Sequence, residues 1–140
     1  MSKVTVTWLQ KLQFVGTDSS KHSIVISAAD EENGVGMKPS ELLMISVASC
    51  TAYDVANILR KKRKEPRRLR VDVEAEQEKE SPWAFTRIHL HYVISGENIT
   101  ERDVSRAIDL SHEKYCSVSA TLCKAVELTH DYEVVAPEDF

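Results

Sequence analysis

Two short runs in the first third of the chain alternate apolar and polar residues. In residues 3–8, Val4, Val6 and Trp8 alternate with threonines, and residues 23–27 alternate through two isoleucines. Alternation places every second side chain on the same face, which is typical of a half-buried strand. Because residues 16–20 are rich in turn-forming types, the pattern predicts an N-terminal hairpin of strands 3–8 and 23–27.

A long apolar segment follows a glycine-containing loop at residues 33–36, and Pro39 suits its first helical turn. From Glu41 to about Lys62 the chain has no Gly or Pro, which predicts a helix buried on most of its circumference. No membrane span is predicted, because polar residues interrupt the segment before the roughly 18 to 20 apolar residues that a bilayer requires. These interruptions are Ser46, Ser49, Thr51, Asp54 and Asn57.

Two further strands are predicted beyond this helix. In residues 71–76 apolar side chains alternate with acidic ones, and Ile88, Leu90, Tyr92 and Ile94 recur at every second position and define the next strand. Ser81 and Pro82 lie between the two runs and are typical of a turn.

A second helix and a closing strand complete the predicted elements. Residues 100–103 resemble a capping box, and apolar residues then recur at helical spacing up to Cys116. Residues 126–134 alternate again and predict the last strand. The 140 residues and 42% hydrophobic content suit one core, so a single α+β domain over residues 1–140 is predicted.

Charge and cysteine content narrow the possible surroundings. The net charge of -4 gives no global attraction to nucleic acid or to an anionic membrane. The three cysteines are an odd number and form no C-x-x-C pair, which favours a reducing cytoplasm over a secreted disulfide framework. The N-terminal residues show no signal-peptide pattern, so none is expected.

One local basic run departs from this acidic balance. Residues 60–70 hold eight of the eighteen Lys and Arg residues, and such clusters can bind RNA or an anionic surface. No aromatic residue is interleaved for base stacking, and cations suit a helix C-terminus. The run is therefore interpreted as a helix end and a solvated turn, with no nucleic-acid partner expected.

Cys50 lies near the middle of the long helix, on a narrow polar stripe with Ser46, Asp54 and Asn57. Buried polar groups without partners cost about 1–3 kcal/mol each, so something polar is expected to face this stripe. The alternative interpretation is that Cys50 is simply a small core residue.

The other two cysteines lie in the last third of the chain. Cys116 precedes a short segment that Ser117 and Ser119 could cap, and a helix N-terminus there would favour its thiolate form. A buried structural thiol is the alternative for Cys116. Cys123 has no polar neighbours in the predicted strand and is expected in the core.

The histidines give only a weak metal signal. His89 and His91 share one face of a predicted strand, and the pair His112-Glu113 lacks the second His of an H-E-x-x-H motif. Surface or structural roles are therefore expected for these residues, and no metal site is predicted.

Two segments of the chain together resemble the cysteine motifs of the OsmC/Ohr family. They are residues 39–43 and 48–52 (PSELL and ASCTA) on one helix, and residues 111–118 (SHEKYCSV) later. Element order and spacing agree with that family over nearly the whole chain. The versions CTAYDV at 50–55 and KYCSV at 114–118 resemble its YhfA-like branch.

This resemblance implies an OsmC-like fold, in which a twisted antiparallel sheet packs around a long central helix in an intertwined homodimer. It also implies a cytoplasmic, thiol-dependent peroxidase of the peroxiredoxin type that reduces organic hydroperoxides. By the same resemblance, Cys50 attacks the peroxide, Cys116 resolves the sulfenic acid, and a lipoyl-type dithiol or small thiol reduces the disulfide. No metal, flavin or nucleotide cofactor is implied.

Two positions depart from the family pattern. Members of the family place a Glu ten residues before the attacking Cys, where this chain has Ser40; Glu41, one residue later, is the candidate helper of Cys50. Members also place an Arg in the N-terminal hairpin, but this chain has no Arg before Arg60. Lys11, Lys21, another element or the partner subunit would then supply the activating cation, although Lys lacks the bidentate geometry of Arg.

A non-enzymatic function stays open beside the peroxidase. A divergent OsmC-like dimer with little peroxidase activity could bind a small apolar ligand at its interface, because the apolar helix suits such a pocket as well as it suits catalysis.

Overall fold

The computed structural model describes residues 2–140, which form two compact units, residues 2–43 and residues 44–140. The first unit contains three strands and the beginning of a long helix; the second contains the rest of this helix, three strands and two further α-helices. The α+β class is confirmed. The single-domain and homodimer expectations stay predictions.

The strands are β1 (Thr5–Gln10), β2 (Gln13–Thr17), β3 (Ser23–Ser27), β4 (Arg68–Gln77), β5 (Phe85–Ser95) and β6 (Glu127–Val134). The helices are α1 (Pro39–Lys61), α2 (Glu101–Leu110) and α3 (Ser117–Leu122), with a π-helical turn at Ser111–Tyr115 and a 3₁₀ turn at Pro137–Asp139.

The first sheet is an antiparallel meander in the order β1-β2-β3. The predicted hairpin of residues 3–8 and 23–27 was wrong, because β2 lies between its two strands and pairs with both. The turn into β2 contains Lys11 at a positive φ of 47°, stabilised by a 2.8 Å bond from Trp8 Nε1 to the Lys11 carbonyl oxygen. A Lys in this conformation gives no turn signal in the sequence, so the strand that follows it was missed.

In the loop before α1, the backbone packs closely against the backbone of β3. Met37 donates its N–H to the Val25 carbonyl oxygen at 2.9 Å, and Ser27 donates to the Met37 carbonyl at 3.0 Å. A Cβ atom at Gly36 would lie 2.5 Å from that same Val25 oxygen, so only glycine fits there.

The helix α1 begins at Pro39 and ends at Lys61, close to its predicted bounds. The expectation that most of its circumference is buried was wrong: its buried residues lie four apart in a single line, Val47, Thr51, Val55 and Leu59. The apolar Ile45 and Tyr53 are 46% and 70% exposed. By length and composition α1 could cross a membrane, a property that the core helix of a soluble protein shares.

The second sheet has the order β4-β5-β6, with β5 in the centre. Antiparallel pairing holds for β4 and β5 but not for β6, which runs parallel to β5. The chain crosses between these parallel strands through α2 and α3, which is the kind of connection that parallel strands need. Apolar residues of β5 form the core with α1 and α2: Ile88, Leu90, Tyr92, Ile94, Val47, Val55, Leu59, Val104, Ala107 and Ile108.

Three of the eight cations in the basic run, Lys64, Arg67 and Arg70, form ion pairs within the described fold. Lys64 forms a 2.7 Å ion pair with Asp103, which also closes the capping box of α2 with Thr100. Arg70 lies 3.0 Å from Asp72 on the acidic strand that follows the run. These contacts support the interpretation of the run as a helix end and turn.

Candidate active site

The second unit brings Cys50 and Cys116 together. Cys50 lies half-buried in the middle of α1, and Cys116 is only 2% exposed at the junction of the π-helical turn and α3. Their Sγ atoms and a carboxylate oxygen of Asp54 all lie within 4.8 Å of one another. The polar group that was expected to face Cys50 is thus the second thiol.

The first turn of α3 directs backbone N–H groups towards the two cysteines. Cys116 is the N-cap residue of α3, and its Sγ accepts the Ser119 N–H at 3.2 Å. The neighbouring Val118 N–H acts on Cys50 and lowers the pKa of its thiol. The expectation that Cys116 lies at a helix N-terminus is confirmed, although the thiol itself caps the helix.

The π-helical turn positions Cys116 relative to α1. The Cys116 N–H donates to the Ser111 carbonyl at 2.8 Å, which closes the wider turn. Cys116 then adopts an extended backbone conformation that ends this turn and leads into α3. Such π-helical turns are frequent at functional sites. The sequence predicted a helix up to Cys116 but not this change of pitch.

Asp54 is closer to the chemistry than its sequence position suggested. One helical turn after Cys50, it lies on the same face of α1, and its Oδ2 accepts a 2.8 Å hydrogen bond from the buried Ser111 hydroxyl. The sequence placed Asp54 on the polar stripe of the long helix but did not identify Ser111 as its partner. The four-residue spacing from Cys50 was the signal that could have indicated the closer role.

The environment of Cys50 favours the protonated thiol. Burial and the neighbouring Cys116 thiol raise the pKa of Cys50, and the negative charge of Asp54 raises it further. The Val118 N–H acts in the opposite direction and lowers the pKa. None of these influences from within the chain is a cation.

A chain of hydrogen bonds ties the two cysteine-bearing segments to β5. Tyr92 donates its hydroxyl proton to Thr51 Oγ1 at 2.8 Å, and Thr51 donates to the Val47 carbonyl at 3.1 Å. Because Tyr92 has only one proton to give, its oxygen accepts from His112 Nε2 at 3.1 Å. Thr51 follows Cys50 directly and His112 precedes Cys116 by four residues, so this chain fixes one segment against the other.

His112 and Tyr92 are neutral at neutral pH. Burial, together with the nearby His130, lowers the pKa of His112 to about 4. The two imidazole rings are stacked with centroids 4.9 Å apart. Burial raises the pKa of Tyr92 to about 12. Neither residue therefore supplies the activating cation.

The remaining sequence candidates lie in other surroundings. Glu41 lies in the first turn of α1, in the first unit, with its Oε2 3.8 Å from Lys38 Nζ. Lys11 forms a 2.7 Å ion pair with Glu32 in the same unit. The placement of Cys123 in the core was wrong: it is exposed at the C-terminus of α3, because its strand begins only at Glu127.

The face of β5 that carries His89 and His91 is half-exposed. Asp131 Oδ1 lies 2.8 Å from His89 Nε2 and 2.8 Å from His91 Nδ1. The hydrogen bond to Asp131 raises the pKa of His91. The carboxylate thus links the two histidines across β5 and β6, which supports their structural interpretation.

One thiol lies on the long helix α1 and the other lies just before the short helix α3. Within this α+β fold, the pair defines a class of small proteins that carry two separate cysteine motifs. The model of the OsmC-like protein family matches residues 30–131, and the chain belongs to this family. It is 39% identical over 131 residues to protein YhfA of Escherichia coli strain K12, covering 94% of this chain and 96% of that protein. The resemblance to the family and to its YhfA-like branch is thereby confirmed.

Solved structures share the fold over nearly their whole length. A hypothetical protein from Aquifex aeolicus has a TM-score of 0.86 at 29% identity, with 97% of both chains covered. The organic hydroperoxide resistance protein OhrB of Bacillus subtilis has a TM-score of 0.63 at 17% identity, covering 95% of this chain and 98% of that chain. The second likeness concerns the fold alone.

Proposed function

We propose that this protein is a thiol-dependent peroxidase that reduces organic hydroperoxides through Cys50 and Cys116. The observation that carries the proposal is the placement of two thiols whose sulfurs lie within 4.8 Å of each other, with Cys116 accepting a backbone N–H from the start of α3. Membership of the OsmC-like family supports it, and one structural neighbour is an organic hydroperoxide resistance protein.

The reaction needs only the two thiols and an external reductant. The Cys50 thiolate attacks the distal peroxide oxygen, the O–O bond breaks, and the alkoxide takes a proton and leaves as the alcohol. The Cys116 thiolate then attacks the sulfenic sulfur, which releases water and forms a disulfide. A lipoyl-type dithiol or a small thiol restores both thiols by exchange and is itself oxidised. One hydroperoxide and one dithiol thus yield one alcohol, one water and one oxidised dithiol.

The exposure of the two cysteines supports these roles. Cys50 is half-buried and open to a substrate, whereas Cys116 is 2% exposed and suits attack from within the fold. The Val118 N–H stabilises negative charge on Cys50, and the Ser119 N–H does the same for Cys116. When the reductant cleaves the disulfide, the backbone N–H beside the leaving sulfur stabilises the negative charge on that sulfur.

In the proposed homodimer, the partner subunit completes the site. Because the main influences on the Cys50 pKa within the chain include no cation, a Lys or Arg of the partner subunit activates its thiolate in this proposal. Glu41 helps to hold that cation. The reducing cytoplasm keeps all three cysteines free between cycles.

An assay of organic hydroperoxide turnover with a lipoyl dithiol as reductant tests the proposal. The quantity measured is the loss of peroxide. The wild-type protein and Cys123→Ser should turn over equally, since Cys123 is exposed and lies outside the thiol pair. Cys50→Ser should abolish turnover, and Glu41→Gln should reduce it. Equal rates in the wild type and Cys50→Ser, or no peroxide loss with the folded wild type, would overturn the proposal.

An apolar groove favours a second candidate function. Its walls are Met44, Ile45, Ala48, Ser49 and Ala52 of α1 together with Val71, Asp72, Val73 and Glu74 of β4, and it encloses about 590 Å³. A groove of this size and character suits a small apolar ligand. Saturable binding of an apolar fluorescent probe that Ala48→Trp abolishes, in a protein without peroxide turnover, would favour this function over the peroxidase.

A further inference from the structure

The donor atoms of Cys50, Asp54 and Cys116 form a cluster that ordinary protein packing does not require. Two thiols and one carboxylate, all within 4.8 Å of one another, converge from α1 and from the start of α3. In a tetrahedral zinc site, Zn–S and Zn–O bonds of about 2.3 and 2.1 Å separate neighbouring ligand atoms by about 3.5–3.8 Å. Small side-chain rotations would bring this cluster to that spacing.

The scaffold holds these donors as metal sites commonly hold theirs. Cys50 and Asp54 lie one turn apart on the same face of α1, so their side chains project in the same direction. The buried Ser111 hydroxyl orients the carboxylate through Oδ2, as outer residues do for metal-ligating carboxylates. The Ser119 N–H fixes Cys116 Sγ at 3.2 Å. Two of the three donors are therefore positioned before any ion arrives.

The charge of the cluster favours a divalent cation. With both thiols ionised, the three groups together carry three negative charges in a partly buried space, and Val118 and Ser119 oppose this with neutral backbone donors only. Thiolate ligands select a borderline-soft ion such as Zn²⁺ over Mg²⁺ or Ca²⁺. Three protein ligands leave a fourth position for water or a small ligand, because Cys50 is half-buried rather than sealed.

We infer that the reduced protein binds one Zn²⁺ per chain through Cys50, Asp54 and Cys116. Binding displaces the two thiol protons, which pass to the buffer, and involves no change of oxidation state. The ion occupies both sulfurs of the proposed peroxidase and protects them from oxidation, so it inhibits turnover reversibly. The binding itself does not depend on the protein being a peroxidase.

Zinc titration of the reduced, untagged, chelator-treated protein in competition with a chromogenic chelator tests the inference without peroxide. One saturable site per chain is expected in the wild type and in Cys123→Ser, the matched thiol control. Cys50→Ser, Cys116→Ser and Asp54→Asn should each bind at least about tenfold more weakly, and Ser111→Ala about tenfold more weakly through the carboxylate it orients. Wild-type affinity in Cys50→Ser or Cys116→Ser would overturn the inference.

Cobalt spectroscopy separates ligation from a loss of folding. Co²⁺ added to the wild-type protein should give thiolate-to-metal charge-transfer absorption, which falls to about half in either single-cysteine variant and is unchanged in Cys123→Ser. Absence of this absorption in the folded wild type would contradict the inference. Because peroxide takes no part, failure here leaves the proposed peroxidase intact, and a failed turnover assay leaves the metal site intact.

Discussion

The Cys50 sulfur lies within 4.8 Å of the sulfur of Cys116, which is sixty-six positions later in the chain. The two residues belong to different elements, α1 and the N-terminus of α3, which the core of the second unit holds together. The proposed thiol chemistry depends on that proximity.

Replacing Tyr92 by Phe should loosen the two cysteine-bearing segments. The change removes the oxygen that accepts from His112 and the proton that Thr51 accepts, so the buried His112 Nε2–H loses its partner. We expect a loss of about 1–3 kcal/mol in the free energy of unfolding, measured by urea denaturation. Tyr53→Phe on the exposed side of α1 is the matched control and should be close to neutral. Equal stability of Tyr92→Phe and the wild type would show that the chain of bonds contributes nothing.

The buried state of His112 should make stability depend on pH. Its pKa is about 4 in the folded protein against 6.5 in the unfolded chain, so between these values the unfolded chain binds the additional proton. The free energy of unfolding should therefore be fully retained above pH 6.5 and fall as the pH is lowered towards 4.

Comparison of urea midpoints at pH 7 and pH 5 for the wild type and His112→Gln checks this dependence. The variant should lose part of the decrease seen in the wild type. The groups that face His112 are His130 on β6, Asp109 on α2, Asp54 on α1 and Tyr92 on β5, and all of them remain in the variant. An identical pH dependence in both proteins would contradict the assignment.

Because the buried residues of α1 form a single line, replacing one of them should destabilise the protein. Leu59 is fully buried in the core, and Leu59→Ala should reduce the free energy of unfolding by about 2–5 kcal/mol. Leu12 in the first unit is 54% exposed, and Leu12→Ala serves as the control with an expected change within about 0.5 kcal/mol. Thermal denaturation of both variants measures the difference, and equal losses would contradict the burial pattern.

The sequence predicted most of the second unit because its signals are local. Residues 71–76 alternate cleanly, apolar residues recur at every second position from 88 to 94, and Thr100 caps α2 with the capping box that the structure contains. The hairpin prediction failed at β2, because the turn at Lys11 uses a positive φ that no glycine or asparagine announces. The parallel pairing of β6 depends on how the chain crosses between β5 and β6, which no single strand encodes.

The sequence predicted only part of the candidate site, because contacts between distant segments cannot be seen in it. Cys50 and Cys116 were identified from two sequence segments, but their proximity is a tertiary property that spacing along the chain cannot give. Ser111 and Tyr92 were missed because a buried polar residue in the sequence does not reveal its partner. Cys123 was misplaced because the strand begins four residues after it, at Glu127.

Removing the proposed resolving thiol should trap the first product of the reaction. In Cys116→Ser, one equivalent of organic hydroperoxide should leave a sulfenic acid on Cys50, since no thiol lies within reach to condense with it. Dimedone labelling with mass spectrometry should locate the adduct at Cys50. In the wild type and in Cys123→Ser the adduct should be scarce, and an adduct on Cys123 instead would contradict the assigned roles.

Peptide mapping of the wild-type protein after one equivalent of organic hydroperoxide tests the central claim most directly. The account predicts a disulfide between the peptides that contain Cys50 and Cys116, with Cys123 still free to react with an alkylating reagent. Recovery of both Cys50 and Cys116 as unmodified thiols after the hydroperoxide has been consumed, or a disulfide that involves Cys123, would contradict it.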